Sequence, residues 1–316
     1  MKTTLLSLAG LVLAAAPSFA SAASDIPAFK AERWVNSAPL APEGLRGQVV
    51  LVDFWEYTCI NWDRTSPYVK AWHRDYAPHG LTVIGVHAPE FEFGKRAANI
   101  DRGIRDHGLT YPIAIDNDFA VWRSFGNDAW PAKYLFDGNG KLVRRWAGEG
   151  RYDEIEAEIR RLLMAAHPGA MLPPVSAEAM AFAKAGEPDY RGITPETYLG
   201  AQRREAGTYR LEGAWKARGD AVELQSGTGR IVMPFVGGEV NLVVQPGSSG
   251  RAALTVLLDG KPVGDARGAD VGADGVARFD RSGMLRLVAG ASKQKHVLTL
   301  VTSDPGLQAH VFTFGP

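Results

Sequence analysis

The chain has 316 residues, of which 46% are hydrophobic and 22% charged, a balance that suits a globular protein of about two domains. Lys+Arg and Asp+Glu stand at 35 each, so net charge provides no drive toward nucleic acid or an anionic membrane. One cysteine, Cys59, excludes an internal disulfide.

The N-terminus begins with Lys2, the apolar run Leu5 to Ala16 and the small-x-small stretch Ala20-Ser21-Ala22. This pattern predicts a signal peptide over residues 1–22, with the mature chain starting at Ala23. The run is shorter than the roughly 20 apolar residues that span a bilayer, so no membrane span is expected after cleavage. A periplasmic or secreted location follows. Export normally goes with paired cysteines, so a lone thiol is either a buried passenger or a group awaiting an external partner.

Residues 23–40 read as an extended lead-in containing Pro27 and Pro39. Gly47 to Trp55 has the valines, leucine and aromatics of a strand buried on both faces. Helical spacing puts Tyr68, Val69, Trp72 and Tyr76 on one face, which predicts a helix over Thr65 to Tyr76 stopped by Gly80. Leu81 to His87 is a second buried strand, Arg96 to His107 a helix, Tyr111 to Ile115 a short strand and Asp118 to Phe125 a helix. Ala132 to Phe136 leads through the turn sequence Asp137-Gly-Asn-Gly140 into an antiparallel return, Lys141 to Trp146, and Tyr152 to Ala166 closes with a helix. Residues 41–166 therefore form an α/β unit, a central mixed sheet with helices on both faces.

Residues 167–207 read as a connector with Pro173-Pro174, Pro188 and Pro195, and a helix at Ala177 to Lys184. Beyond Thr208 come short alternating apolar stretches separated by Gly, Asp and Ser, including the hairpin signal Asp259-Gly260. Residues 208–316 are thus expected to form an all-β sandwich of about seven strands.

Chemistry concentrates in Val52-Asp-Phe-Trp-Glu-Tyr-Thr-Cys-Ile-Asn-Trp-Asp63. A strand ends at Trp55 and a helix opens near Cys59. Unpaired helix N–H groups and the positive end of the helix dipole favour a thiolate, so a lowered pKa and a nucleophilic sulfur are expected. Among His73, His79, His87 and His107 there is no zinc-type spacing with Cys59, and no phosphate-cradling Gly-rich loop occurs, so no metal and no cofactor is expected. In the C-terminal part Tyr209, Trp215, Phe235 and Phe279 are candidates for a sugar-binding face, with core packing the commoner fate of such residues.

The chain resembles the TlpA/DipZ group of extracytoplasmic thioredoxin-like thiol–disulfide proteins. Three stretches carry the resemblance: Val-Asp-Phe-Trp-x-Tyr-Thr-Cys-Ile-Asn, Gly85-Val-His-Ala-Pro-Glu-Phe-Glu92, and Trp130-Pro131-Ala-Lys-Tyr-Leu135. Pro195-Glu-Thr-Tyr-Leu-Gly200 and Ala309-His-Val-Phe-Thr-Phe-Gly315 look like the DipZ-type C-terminal domain, which is likened to carbohydrate-binding modules. The resemblance implies a thioredoxin-like fold, Cys59 as nucleophile, Asp53 as an acid beneath it with a proton-relay role, and a cis bond before Pro131 beside a peptide-docking groove. It places Trp55, Thr58, Trp62, His87, Glu90 and Trp130 around the site. The family motif is Cys-x-x-Cys, whereas this chain has Cys59-Ile60-Asn61-Trp62. Without a resolving cysteine, Cys59 can form a mixed disulfide with an exported protein or a small thiol, and a separate electron donor must release it. Thiol-dependent peroxide reduction and a retired enzyme used for binding are the alternatives.

Overall fold

A computed structural model describes residues 25–203 and 208–316. The signal-peptide reading lies outside these residues.

The first unit is a six-stranded sheet in the order β1-β4-β3-β2-β5-β6. Its strands are β1 (Arg33–Val35), β2 (Val49–Trp55), β3 (Leu81–His87), β4 (Ile113–Ile115), β5 (Ala132–Phe136) and β6 (Leu142–Ala147). β2, β3 and β4 run parallel, while β1, β5 and β6 are antiparallel to their neighbours. Helices α1 (Ile60–Tyr76), α2 (Ala97–Asp106), α3 (Ala120–Ser124) and α4 (Tyr152–Ala166) cover it. Alternation along β2 divides the core. Val49, Leu51 and Trp55 join a cluster with Trp62, Trp72 and Ile159 of α1 and α4. Val50, Val52 and Phe54 join a second cluster with Val121 and Tyr134. Asp53 shares the parity of Leu51 and Trp55, so the period-2 geometry of the strand assigns it to the α1 side.

Three local expectations change. The lead-in is not simply extended, because Arg33–Val35 pairs with Ile113–Ile115 as an edge strand. Three residues between prolines are too few to show a period. Helix α1 begins at Ile60, five residues earlier than its spacing suggested, and runs through Pro67. Pro67 cannot donate the helical hydrogen bond and reads as a start signal, but Ile60, Trp62 and Thr65 are buried ahead of it and hold the first turns. The connector contains α5 (Ala177–Ala185) and a two-residue strand, β7 (Thr197–Tyr198). Ser176 caps α5 by accepting from the Ala179 N–H.

The C-terminal unit is all-β, as expected, with more strands than the sequence displayed. Beyond β7 lie β8 (Arg210–Ala217), β9 (Val222–Val236), β10 (Glu239–Gln245), β11 (Ala252–Leu258), β12 (Lys261–Pro262), β13 (Val276–Phe279), β14 (Gly283–Val288), β15 (Lys295–Thr302) and β16 (Gln308–Gly315). All pair antiparallel in one ten-stranded sheet around a single apolar core. The 15-residue β9 pairs with β8 and β15, and at its start with β16, so the layers join through one strand. The Asp259-Gly260 turn has both residues at positive φ, 52° and 77°, as the tight hairpin between β11 and β12 requires.

Buried Glu156 of α4 anchors the connector. It accepts from Trp72 Nε1 at 3.0 Å, Tyr76 Oη at 2.5 Å, the Ser176 N–H at 2.7 Å and the Ser176 hydroxyl. Glu156→Ala leaves these donors without an acceptor and is expected to cost about 3 kcal/mol in urea unfolding. A loss below about 1 kcal/mol would show that the network contributes little to stability.

Candidate active site

Cys59 is the N-cap of α1, with extended backbone (φ −80°, ψ 113°), and it is partly buried. It follows the turn Glu56-Tyr57-Thr58, which closes through Cys59 N–H to Glu56 C=O at 3.2 Å. Glu56 is fully buried, and one of its oxygens accepts from both the N–H (2.7 Å) and the hydroxyl of Thr58. Burial is the largest influence on Glu56 and pushes its carboxyl up to about 8, so it holds its proton at neutral pH.

The thiol is not activated as the sequence suggested. Its pKa lies well above the ordinary thiol value, first through burial and then through Glu90, Glu196 and Glu56, while the Trp62 backbone N–H acts the opposite way. The helix terminus is present, but dehydration and surrounding carboxylates outweigh it.

Trp62, at the position of the family's second cysteine, is fully buried. Its indole Nε1 donates to Asp53 Oδ2 at 2.9 Å, and its ring lies 4.6 Å from Trp55 and 4.9 Å from His107. Trp62 fills space and anchors the first turn; its ring is not a platform open to solvent. Asp53 is fully buried, and burial raises its carboxyl to about 6 against the opposing effects of Lys133 and Trp62. Lys133 is its cross-strand partner on β5 and is also fully buried, which lowers its pKa.

Trp55, Thr58 and His87 are buried beneath the thiol's loop. The His87 ring meets Trp55 edge-on at 4.9 Å and stacks on Tyr57 at 5.9 Å. Burial lowers its pKa to about 3, so it is neutral at physiological pH. The Trp130–Pro131 bond is cis. Trp130 Nε1 donates to the Ala88 carbonyl at 3.0 Å, tying that loop to the end of β3.

Glu90 is reached from the C-terminal side of the chain. Its carboxylate accepts from the Tyr198 hydroxyl and from Arg203 Nη1 at 2.7 Å, and the Arg203 guanidinium lies 5.7 Å from the Trp130 ring. Glu56, Lys133, Glu196, Tyr198 and Arg203 were not picked out by the sequence. A buried lysine inside the strand Ala132–Phe136 was the one available signal. The other residues join through tertiary contacts. Among the candidate aromatics of the C-terminal unit, Phe235 is core and stacks on Phe314 at 5.6 Å, while Tyr209, Trp215 and Phe279 are partly buried against the same core. Among the described residues no cluster of His, Cys, Asp and Glu has the form of a metal site.

Comparison with known proteins finds two family matches along the chain. Residues 22–145 match the AhpC/TSA family, and residues 178–315 match the thioredoxin like C-terminal domain. The chain is 33% identical to protein DipZ of Mycobacterium bovis over 313 residues, covering 89% of this chain and 41% of that protein. It thus spans about two fifths of the DipZ proteins it matches. It is 29% identical to thiol-disulfide oxidoreductase YkuV of Bacillus subtilis over 130 residues, which is 41% of this chain and 87% of YkuV. Among solved structures, a thioredoxin-like protein in the oxidized form matches 44% of this chain and 95% of its own at 30% identity, with a TM-score of 0.40.

Glu56 supplies a pH test. Its folded pKa lies above the unfolded value of 4.5, so the folded state holds a proton that the unfolded chain has lost, and stability falls as pH rises from about 4.5 to about 8. Over that window the loss is expected to reach roughly 5 kcal/mol. In Glu56→Gln, urea unfolding should show most of that slope gone. An unchanged slope would mean that Glu56 is ionised in the fold.

Proposed function

We propose that this chain, whose two matched domains and 33% identity to protein DipZ set it beside the DipZ-type thiol–disulfide oxidoreductases, is an exported monothiol protein that captures disulfide partners on Cys59. The observation that carries the proposal is the tryptophan at position 62, packed into the core where the family has its second cysteine.

In the proposed step the Cys59 thiolate attacks one sulfur of a disulfide on an exported protein or a small molecule. A new S–S bond forms to Cys59, the original S–S bond breaks, and the other sulfur leaves as thiolate. A thiolate from a separate donor then attacks the partner's sulfur: a donor–partner S–S bond forms, the S–S bond to Cys59 breaks, and Cys59 leaves as thiolate and takes up a proton. The raised pKa makes capture slow, because little thiolate is present at neutral pH. It also makes Cys59 a poor leaving group, so the mixed disulfide is long-lived. Scarce thiolate weighs equally against peroxide reduction. Asp53 serves in this reading to hold the Trp62 indole, and a proton relay to sulfur is not needed. Trp130, beside the cis Pro131, forms the wall against which a partner docks, and Glu90, covered by Tyr198 and Arg203, sets the charge near the sulfur. The pattern Lys2, Leu5 to Ala16 and Ala20-Ser21-Ala22 supports periplasmic location, and among the described residues no helix is long and apolar enough to cross a membrane.

Alkylation of Cys59 by iodoacetamide across pH tests the electrostatics. The rate is expected to be still rising above pH 9, and Glu90→Gln should move the curve to lower pH by about half a unit or more. A plateau below about 8.5, the free-thiol value, would contradict the reading. For function, reduction of a mixed-disulfide peptide by an added thiol should be lost in Cys59→Ser. Retention of full biological activity by Cys59→Ser would instead favour the second reading, a retired fold used for binding, which the buried Trp62 also accommodates.

A further inference from the structure

A second cleft lies between the two units, apart from the thiol. It holds about 650 Å³ and is walled by Arg96, Asn99 and Arg102 on one side and by the Gln245–Ser248 and Asp280–Ser282 segments on the other. The walls are tied together where Asn99 Nδ2 donates to Ser282 Oγ and Arg102 Nη2 donates to the Ser282 carbonyl, each at 3.2 Å.

Its charge is unbalanced. Arg96, Arg102 and Arg281 all line it. Among the described residues none of the three forms a salt bridge with a carboxylate; the ion pairs of this region engage other arginines. Of the acids present, Glu223 is taken by Arg218 through two contacts of 2.9 Å, which leaves Asp280. Helix α2 also opens here. Arg96 is its N-cap, and no side chain caps its first N–H groups, so the positive end of the ten-residue helix adds to the field. Behind this wall sits Tyr57, 9% exposed, with its hydroxyl buried and close enough to the Ser282 side chain to interact with it. Burial and then Glu56 push its phenol up, while Ser282, Arg102 and Arg96, all lining the cleft, act the opposite way.

We propose that this cleft binds a small oxyanion-bearing molecule, with a carboxylate or phosphate held by Arg96, Arg102 and Arg281. Guanidinium groups match the planar and tetrahedral oxygens of such anions through paired, charge-assisted hydrogen bonds. The volume falls within the range of small-ligand pockets, about 300–1,000 Å³, and exceeds what a bare inorganic ion fills. The site spans both units, so an occupant also strengthens their association. It stands independently of the chemistry at Cys59.

Calorimetric titration of the full chain at low salt with inorganic phosphate, sulfate and citrate tests this. Saturable binding by at least one probe is expected. Phosphate or citrate ranking first separates a phosphate from a carboxylate ligand. Arg96→Gln and Arg281→Gln should each weaken binding by roughly ten-fold, the loss of a charge-assisted pair. Asp280→Asn should tighten it, and Arg251→Gln, in the adjoining cavity beside Phe279 and Asp304 that shares Asp280 with the cleft, should leave it unchanged. These side chains are exposed, so the variants keep the fold, as the thermal midpoint will report. Absence of saturable binding by all three probes, or an equal loss in Arg251→Gln, would overturn the proposal.

Discussion

The hydrogen bond from the Trp62 indole to the Asp53 carboxylate fixes the first turn of α1 to the middle of β2, and the rest of the site depends on it. Asp53 occupies an apolar row, where its burial is costly. The indole N–H satisfies one oxygen, and Lys133 supplies the opposing charge from β5. Held this way, Trp62 closes the space in which a resolving thiol would move, and Cys59 is left at the helix start with no internal partner. Shape and electrostatics thus agree: a site closed to intramolecular exchange also stabilises the neutral thiol.

The C-terminal unit is part of that arrangement. Arg64 of α1 reaches Glu239 at 2.7 Å and Glu149 at 3.3 Å, and Asp63 accepts from Arg286 at 2.6 Å. Val243 and Val311 enter the apolar cluster around α1. Exposed ion pairs contribute little individually, but here they border a shared apolar contact and orient it. Through Tyr198 and Arg203 the chain returns to Glu90, one of the carboxylates that hold Cys59 protonated. The sulfur's reactivity is therefore set by both halves of the protein.

Much of this was legible in the sequence. The buried strands β2, β3 and β5, the closing helix α4 and the turns at Asp137-Gly140 and Asp259-Gly260 follow from periodicity and turn chemistry alone, and the motif around Cys59 marked the site. Short or irregular pieces were not legible. β1 and β7 have three and two residues, and β8 carries a glycine and charged residues with register shifts in its pairing. The direction of the thiol's pKa was misjudged because a helix terminus is visible in local sequence, whereas Glu90 and Glu196 approach through the fold. Tyr198 and Arg203 were hidden for the same reason, being more than a hundred residues from the carboxylate they bind.

On the proposed reading, Cys59 accepts a partner and keeps it. The most direct measurement is mass spectrometry of the protein, recovered from cells under acid quench so that thiol exchange stops. A reductant-sensitive adduct on Cys59 is expected in a substantial fraction of molecules, with a mass that identifies the partner. Free thiol in every molecule, even after exposure to a disulfide in excess, would contradict it.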